Sequence, residues 1–290
     1  MEIQNNMKTL MRTLAVLGGM VSLTFCGTGH AQTWTVNGWG YDSGSGPSGT
    51  TLNDTGSGGN ISLTGTPSGN TDIRADLPGG SVTLGVGQTL TFSGTFSIAS
   101  GSMGGGVFRI GILDYASLGT LSGNTWSASA TAPGYWYGPS TGGTQQANPG
   151  GGSDIVRKSS AAGNAWYSGT GGAAVGTTPA IANHIDASGS ATYTFSLSLL
   201  DTAGGMDVSY SLLGNNSPAY SASGTVLDSS GTVPTTFNGV GFFANGSDSA
   251  FAGGVTFTGL TETVVVPEPS PAALVAGGLL LLGAIRRFKK

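Results

Sequence analysis

The chain has 290 residues, of which 38% are hydrophobic, 8% are charged and 53 are glycines. The apolar content excludes disorder across the whole chain, and so little charge with so much glycine disfavours long helices. The stretch from Gln32 to Val266 has four basic residues and twelve acids, so its formal charge is −8, which excludes nucleic acid as a partner.

The N-terminal segment has the features of a signal peptide. Two basic residues precede an apolar stretch, residues 14–26, which is too short to span a bilayer permanently. Gly29 and Ala31 are small residues three before and one before the bond to Gln32, the pattern that signal peptidase accepts. We therefore expect residues 1–31 to form a signal helix that is cleaved between Ala31 and Gln32.

Cys26, the sole cysteine, lies inside this apolar segment. A lipoprotein anchored through Cys26 is the alternative, but Phe25 lies where that processing favours a small residue. Removal of the segment leaves a body without thiols, which excludes disulfide bonds and cysteine-ligated metals.

The body, residues 32–264, has the periodicity of an all-β fold. Apolar and polar residues alternate in four segments, 90–98, 108–112, 193–199 and 206–212, and the last two flank a glycine-containing turn at 201–205 that is typical of a β-hairpin. Further strands are predicted at 34–38, 60–63, 81–86, 220–226, 237–243 and 255–266. Ten or more antiparallel strands with one apolar face each predict a two-sheet sandwich or jelly roll.

Two parts of the body have no clear periodicity. Residues 32–80 form a loose Gly/Ser-rich part, for which we expect a strand pair and flexible loops. Residues 116–183 are rich in Gly, Ser, Thr and Ala with scattered aromatics, and we expect long loops on one face of the fold.

Three segments carry a resemblance to concanavalin A-like or laminin G-like sandwiches. They are VFRIGILD at 107–114, GYWYG at 134–138, and FNGVGFF at 237–243 leading to VTF at 255–257. The resemblance implies architecture more than activity.

Aromatic residues in the predicted loops indicate a ligand surface. They are Trp126, Tyr135, Trp136, Tyr137, Trp166 and Tyr167, with the cations Arg157 and Lys158 between them. Sugar rings stack on such side chains, and the anionic groups of an acidic polysaccharide could meet the two cations. The alternative is that these aromatics cover the core beneath the loops.

The carboxylates and histidine of the body do not form a recognisable catalytic motif. After loss of the signal peptide the one histidine is His184, which Asp186 could orient, but no nucleophile motif lies nearby. Glu262 is the one glutamate of the body, and three aspartates, Asp72, Asp76 and Asp114, are typical of strand ends or turns. We therefore predict that the protein is not an enzyme. The alternative, a carbohydrate-active enzyme, requires two carboxylates flanking the scissile bond.

No cofactor or metal site is predicted. Hard oxygen ligands for Ca²⁺ could come from loops, namely from Asp42, Asn53, Asp54 and Asn60, or from Asn245 and Asp248. Because neither set has the spacing of a calcium loop, turn formation is the favoured interpretation.

The C-terminal segment, residues 265–290, combines three elements in order. Val266, Pro267, Glu268 and Pro269 are followed by an apolar run, 272–285, and then by a basic end that includes Arg286 and Arg287. As a helix the run reaches about 21 Å, against a hydrocarbon core of about 30 Å, so the predicted transmembrane helix is a marginal anchor. The basic end places the C-terminus on the cytoplasmic side.

This tail resembles the sorting segment of bacterial PEP-CTERM proteins. The resemblance implies recognition by an exosortase, transient anchoring in the inner membrane, loss of the tail, and delivery to the envelope surface or extracellular matrix. The sequence as a whole therefore predicts an exported, non-catalytic envelope or matrix protein that binds polysaccharide. An adhesion or scaffold protein is a further alternative, which would present a contiguous apolar patch.

Overall fold

A computed structural model of the protein describes residues 31–41, 48–68, 71–98, 107–115, 121–126, 133–139, 154–158, 172–177, 185, 191–215, 219–231, 233–245 and 254–267. The chain divides into two compact units: one is Gln32–Val264, and the other combines Met1–Ala31 with Val265–Lys290. The predicted signal helix, the run 272–285 and the sorting residues Glu268, Pro269, Arg286 and Arg287 lie outside the described residues. Within the described ranges no helix is long and apolar enough to cross a membrane.

The described elements are all strands. In chain order they are β1 (Ala31–Thr35), β2 (Gly40–Tyr41), β3 (Ser48–Asp54), β4 (Ile61–Ser68), β5 (Thr71–Asp76), β6 (Val82–Thr83), β7 (Thr89–Ile98), β8 (Val107–Leu113), β9 (Leu121–Ser122), β10 (Thr125–Trp126), β11 (Gly134–Tyr137), β12 (Asp154–Lys158), β13 (Gly172–Thr177), β14 (Ala191–Thr202), β15 (Gly205–Gly214), β16 (Ser221–Asp228), β17 (Thr236–Phe237), β18 (Gly239–Asn245) and β19 (Val255–Val265).

The strands form two large sheets and a small one. Sheet A has the order β16-β15-β14-β7-β19-β4-β3, with β1 also paired to β19. Sheet B has the order β13-β12-β11-β8-β18-β5-β2-β10-β9, and β6 pairs with β17. The prediction of antiparallel sheets is wrong at one place, because β10 pairs with β2 in parallel.

Sheet A follows the simple alternation that the sequence predicts. In β14 every second residue, from Ala191 to Leu199, is buried, while the residues between them are half-buried or exposed. The β14–β15 hairpin closes more tightly than predicted, since Thr202 already pairs with Gly205. One face of the sheet therefore packs inward and the other carries Ser and Thr toward solvent.

The core lies between the two sheets. Phe242 of sheet B packs against Phe257, Phe92 and Phe195 of sheet A, with ring centroids 4.2, 5.5 and 5.5 Å apart. At another point Tyr137 stacks on Tyr210 at 4.6 Å. Aromatic packing of this kind stabilises the face-to-face arrangement of the sheets, which makes the body a β-sandwich.

Sheet B departs from the prediction in the region where loops were expected. Residues 116–183 contain five strands, β9 to β13, within the parts of the chain that are described. The loop prediction was wrong there because these strands are two to six residues long and carry little apolar alternation of their own. The loose N-terminal part likewise contains strands, β1 to β5, in addition to turns.

Candidate functional site

The face of sheet B that points away from the core carries half of the buried charged side chains among the described residues. In β5, Ile73 and Ala75 belong to the core, so alternation places Asp72, Arg74 and Asp76 on the opposite face. In β8 the same rule places Arg109 opposite the core face. We call this the outer face of sheet B.

Arg109 is held between two aromatic rings on the outer face. Its guanidinium carbon lies 4.2 Å from the centroid of the Trp136 ring and 5.3 Å from that of Phe243. The side chain is only 3% exposed, and burial lowers its pKa to about 10. Both Arg109 Nε and Trp136 Nε1 are buried donors without a hydrogen-bond partner.

Arg74 forms a second stack on the same face. Its guanidinium carbon lies 4.6 Å from the Tyr115 ring centroid and 5.0 Å from that of Trp126. The Trp126 Nε1–H donates to the Arg74 carbonyl at 3.1 Å. Asn238 fixes Tyr115 by accepting its backbone N–H at 2.7 Å and donating to its carbonyl at 2.9 Å.

An apolar cluster separate from the main core joins these stacks. It consists of Leu113, Tyr115, Trp136, Val156 and Phe243. The outer face of sheet B is buried as well as the inner one. Successive residues of a strand are therefore all buried, as in β11.

A second polar constellation lies where the edges of the two sheets meet. Arg157 Nη1 of β12 donates to both carboxylate oxygens of Asp228 in β16, at 2.8 and 3.0 Å. The Tyr135 hydroxyl donates to the same carboxylate at 2.8 Å, and the Ser230 backbone N–H donates at 3.2 Å. Burial favours a higher pKa for Asp228, but the hydrogen bonds from Ser230, Arg157 and Tyr135 outweigh it and hold the pKa below its ordinary value.

Arg157, Asp228 and Ser230 also line an open pocket, which we call the edge pocket. Its volume is about 220 Å³, and it is lined by Arg157, Ala174, Val175, Leu227, Asp228, Ser229 and Ser230. Leu227 is 48% exposed at its rim. Charged groups, hydroxyls and an apolar side chain therefore surround one cavity.

Glu262 is a second unusual carboxylate. It lies in β19 with no exposed surface, and neither carboxyl oxygen has a hydrogen-bond partner. Burial raises its pKa to about 7, and the nearby backbone of Gly79 offsets this only in part, since its N–H does not reach hydrogen-bond geometry. The predicted strand position of Glu262 is observed, but the side chain faces inward and not toward a cleft.

The structure divides the predicted ligand residues among different places. Trp126 and Trp136 lie on the outer face of sheet B, whereas Tyr135 and Tyr137 lie on its core face. All four are buried on strands, so the expectation that they project from loops was wrong, and their burial favours the alternative that they cover the core. Trp166 and Tyr167 lie outside the described residues.

The candidate catalytic and calcium residues are also dispersed. Asp72 and Asp76 are four residues apart in one strand, which separates their Cα atoms by about 13 Å, more than the spacing that glycoside hydrolysis uses. His184, Asp186, Asp42 and Asp248 lie outside the described residues. Burial raises the pKa of both Asp76 and Asp114.

Asp54 and Asn60 act as turn formers. The Asp54 carboxylate accepts the backbone N–H groups of Gly38, Trp39 and Gly56 at 2.8–2.9 Å. The Asn60 side chain accepts the Gly259 N–H at 3.1 Å. Over the described part of the chain, no three His, Cys, Asp or Glu side chains group as a metal site would require.

Sequence reasoning did not identify Arg109, Phe243 or Asp228 as site residues. The alternation of side chains along β8 already indicated that Arg109 faces away from the apolar side chains of its strand. This alternation was the one signal in the sequence that could have identified Arg109.

Comparisons with known proteins bear on the fold alone. No family model and no curated protein matches the chain. Among solved structures, it is similar to the basic winged bean lectin with Tn-antigen, at 13% identity and a TM-score of 0.46 over 82% of this chain and 99% of that one. It is also similar to peanut lectin with a nine-residue peptide, at 14% identity and 0.42 over 83% and 98%. A third is the exoplasmic/lumenal domain of VIP36 in its Ca²⁺/Man2-bound form, at 9% identity and 0.44 over 84% and 92%.

Proposed function

We propose that the protein is an exported, non-catalytic β-sandwich of the cell envelope or extracellular matrix that binds a polysaccharide at the edge pocket. The observation that carries the binding proposal is the composition of that pocket. Arg157 and Asp228 supply charge, Ser229 and Ser230 supply hydroxyls, and Leu227 supplies an apolar wall. A sugar offers matching hydroxyls and an apolar C–H face.

The size of the pocket limits the ligand. Its volume of about 220 Å³ is below the range of about 300–1,000 Å³ that holds drug-sized ligands. The pocket therefore takes one sugar unit, either the end of a chain or a single residue along it.

The carboxylates support a binding role over a catalytic one. The Asp228 carboxylate accepts hydrogen bonds from Arg157, Tyr135 and Ser230, which hold it ionised and fixed. A general acid needs a proton to give near neutral pH, and these contacts favour the ionised form.

Delivery to the cell surface remains part of the proposal. It rests on the ordered tail motif from Val266 to Pro269, the apolar run 272–285 and the basic end. Removal of the tail by an exosortase would release the body from the inner membrane.

The binding proposal is tested with the full-length chain in mild detergent, applied to a panel of immobilised neutral and acidic polysaccharides. Leu227→Ala should weaken binding about tenfold by removing the apolar wall. Leu213→Ala is the matched control, because Leu213 is equally exposed, at 50%, in the neighbouring strand but does not line the pocket. Absence of binding to every polysaccharide, or equal losses in the two variants, would contradict the proposal.

The delivery proposal is tested by mass spectrometry of the protein recovered from its native host. The mature chain should begin at Gln32 and lack the basic end. Recovery of a chain that still ends in Lys290 would show that the tail is not processed.

A further inference from the structure

We infer that Arg109 and Trp136 form a second binding site, on the outer face of sheet B, for a carboxylate group. This site is independent of the edge pocket, since the two share no residue. The inference rests on two buried hydrogen-bond donors that have no acceptor and on a buried cation that has no acid beside it in the described part of the chain.

The three arginines of the body differ in their acidic neighbours. Arg157 is ion-paired with Asp228 at 2.8 Å. Arg74 lies in β5 between Asp72 and Asp76, on the same face of the strand, and its charge lowers the pKa of Asp76 against the effect of burial. Both of these cations therefore have an acid within reach.

Among the residues that the structure describes, Arg109 has no such neighbour. The residues two positions away in β8 are Val107 and Gly111, and the residue opposite in β18 is Phe243. Desolvation by burial is the cause that lowers its pKa to about 10. The rings of Trp136 and Phe243 stabilise the cation through their faces, but they accept no conventional hydrogen bond.

The two unpartnered donors lie side by side. Arg109 Nε–H and Trp136 Nε1–H are both buried, and the guanidinium lies 4.2 Å from the indole ring. A buried donor without an acceptor, and a buried charge without a counter-charge, are each costly. A bound carboxylate would offset both costs, since it supplies a negative charge and two acceptor oxygens that fit a guanidinium.

The burial of the site restricts the kind of ligand. With Arg109 3% exposed and Trp136 2% exposed, the flat face of a sugar ring cannot lie against them. A carboxylate that projects from the ligand, as in a uronic acid, is smaller than a sugar ring and matches the two donors. The class of ligand is therefore a carboxylate-bearing molecule, with the carboxylate as the recognised group.

The experiment compares galacturonate with galactose, which differ at the carboxyl group, on the full-length ¹⁵N-labelled chain. Galacturonate should bind with a Kd of about 1 mM, shift the Trp136 indole N–H resonance and raise the unfolding temperature. Galactose should leave the Trp136 indole N–H resonance unshifted. Trp136→Phe, which deletes the indole N–H, assigns the resonance.

Variants separate a ligand site from a purely structural stack. Arg109→Gln should lose the galacturonate effect by at least about tenfold, while Arg109→Lys, which keeps the charge but not the fork, should retain part of it. Ser223→Asp is the control, because it changes the net charge by the same amount on an exposed position of sheet A. It should leave galacturonate binding unchanged.

The unliganded unfolding temperature gives a readout that does not depend on a sugar. If the site lacks its counter-anion, Arg109→Gln without ligand should unfold at the same temperature as the wild type or at a higher one. The reason is that the substitution removes an uncompensated buried charge. Marked destabilisation by Arg109→Gln, an unchanged response of that variant to galacturonate, or equal responses of the wild type to galacturonate and galactose would each overturn the inference.

Discussion

Sheets A and B enclose the same core but differ in the face that points away from it. Sheet A is apolar on one face, and its other face carries rows of hydroxyls, such as Thr225, Ser209, Ser198 and Thr91 in adjacent strands. Sheet B is buried on both faces and carries arginines, aspartates and tryptophans on the outer one. The comparison shows that sheet B, unlike sheet A, carries a group of buried charged side chains on the face opposite the core.

This contrast has an energetic consequence. Ser and Thr on sheet A remain hydrated, so each contributes little to stability. The charged groups of sheet B and of the sheet edges need hydrogen-bond or ion-pair partners inside the protein. Each of them therefore strongly raises or strongly lowers the free energy of unfolding. Function is therefore expected on sheet B and at its edge, and the substitutions below test the contrast.

The largest effect is expected at the centre of the interface between the sheets. Phe242→Ala removes a ring that packs on Trp39, Phe92 and Phe257, so it should lower the free energy of unfolding by about 3–5 kcal/mol. Urea denaturation measures this. Phe242→Leu is the control for volume and should cost clearly less, and a small loss for both would mean that the sheets do not share one core.

The next largest effect is expected at the Arg157–Asp228 ion pair, which links the edges of the two sheets. Asp228→Asn leaves Arg157 buried without its partner, which should cost about 3 kcal/mol or more at pH 7. Because the pKa of Asp228 is held below its ordinary value, the stabilisation is present above that value and is lost as the pH falls through the folded pKa. Unfolding curves from pH 7 to pH 2 should therefore converge for the wild type and the variant.

A double variant, Arg157→Leu with Asp228→Asn, isolates the pair. If the pair matters, the losses of the two single variants should not add. Additive losses would mean that each side chain acts alone.

The sequence made sheet A largely predictable because its alternation is visible in single segments. β7, β14 and β15 are long, and each carries its own apolar face, so the ends of the predicted and observed strands agree to within three residues. The hairpin was also predictable, since its turn is local.

Sheet B could be predicted only in part. β8 and β18 have apolar alternation, but β5 reads Thr-Asp-Ile-Arg-Ala-Asp, which resembles a solvated segment although it is buried. The strand is stabilised by partners on both faces that come from distant parts of the chain. Alternation within one segment cannot reveal burial on two faces.

The candidate sites depend on register, which the sequence does not display. Trp136 lies beside Arg109 because β11 pairs with β8, and Phe243 lies beside it because β18 pairs with β8 on the other side. Arg157 and Asp228 are 71 residues apart and belong to different sheets. The sequence indicated that Trp136 and Arg157 matter for binding, but it placed them in one loop surface, whereas pairing puts them at two separate sites.

Glu262 tests the contrast from within sheet A, because it is a buried carboxylate of that sheet that, unlike Asp228, has no hydrogen-bond partner. Its pKa is raised from 4.5 to about 7, so the folded state binds the proton more tightly than the unfolded state. The wild type should therefore lose stability, by at most about 3 kcal/mol, as the pH rises from 4.5 to 7.

Glu262→Gln should remove this pH dependence and be more stable than the wild type at pH 8. Denaturant unfolding between pH 4 and pH 9 measures both slopes. A wild-type profile that is flat between pH 4.5 and 7, or one that rises there, would show that the Glu262 carboxyl is solvated or paired.

The smallest effect is expected on the hydroxyl face of sheet A. The Ser209 and Thr225 hydroxyls lie 2.7 Å apart, and those of Thr91 and Ser198 lie 2.8 Å apart, all partly open to water. Thr91→Ala and Thr225→Ala should each change the free energy of unfolding by about 0.5 kcal/mol or less, because water replaces the lost partner. Urea denaturation of both variants measures the change. A loss above about 1.5 kcal/mol would mean that the hydroxyl rows hold sheet A together, and the division between a hydrated sheet A and a charge-bearing sheet B would fail.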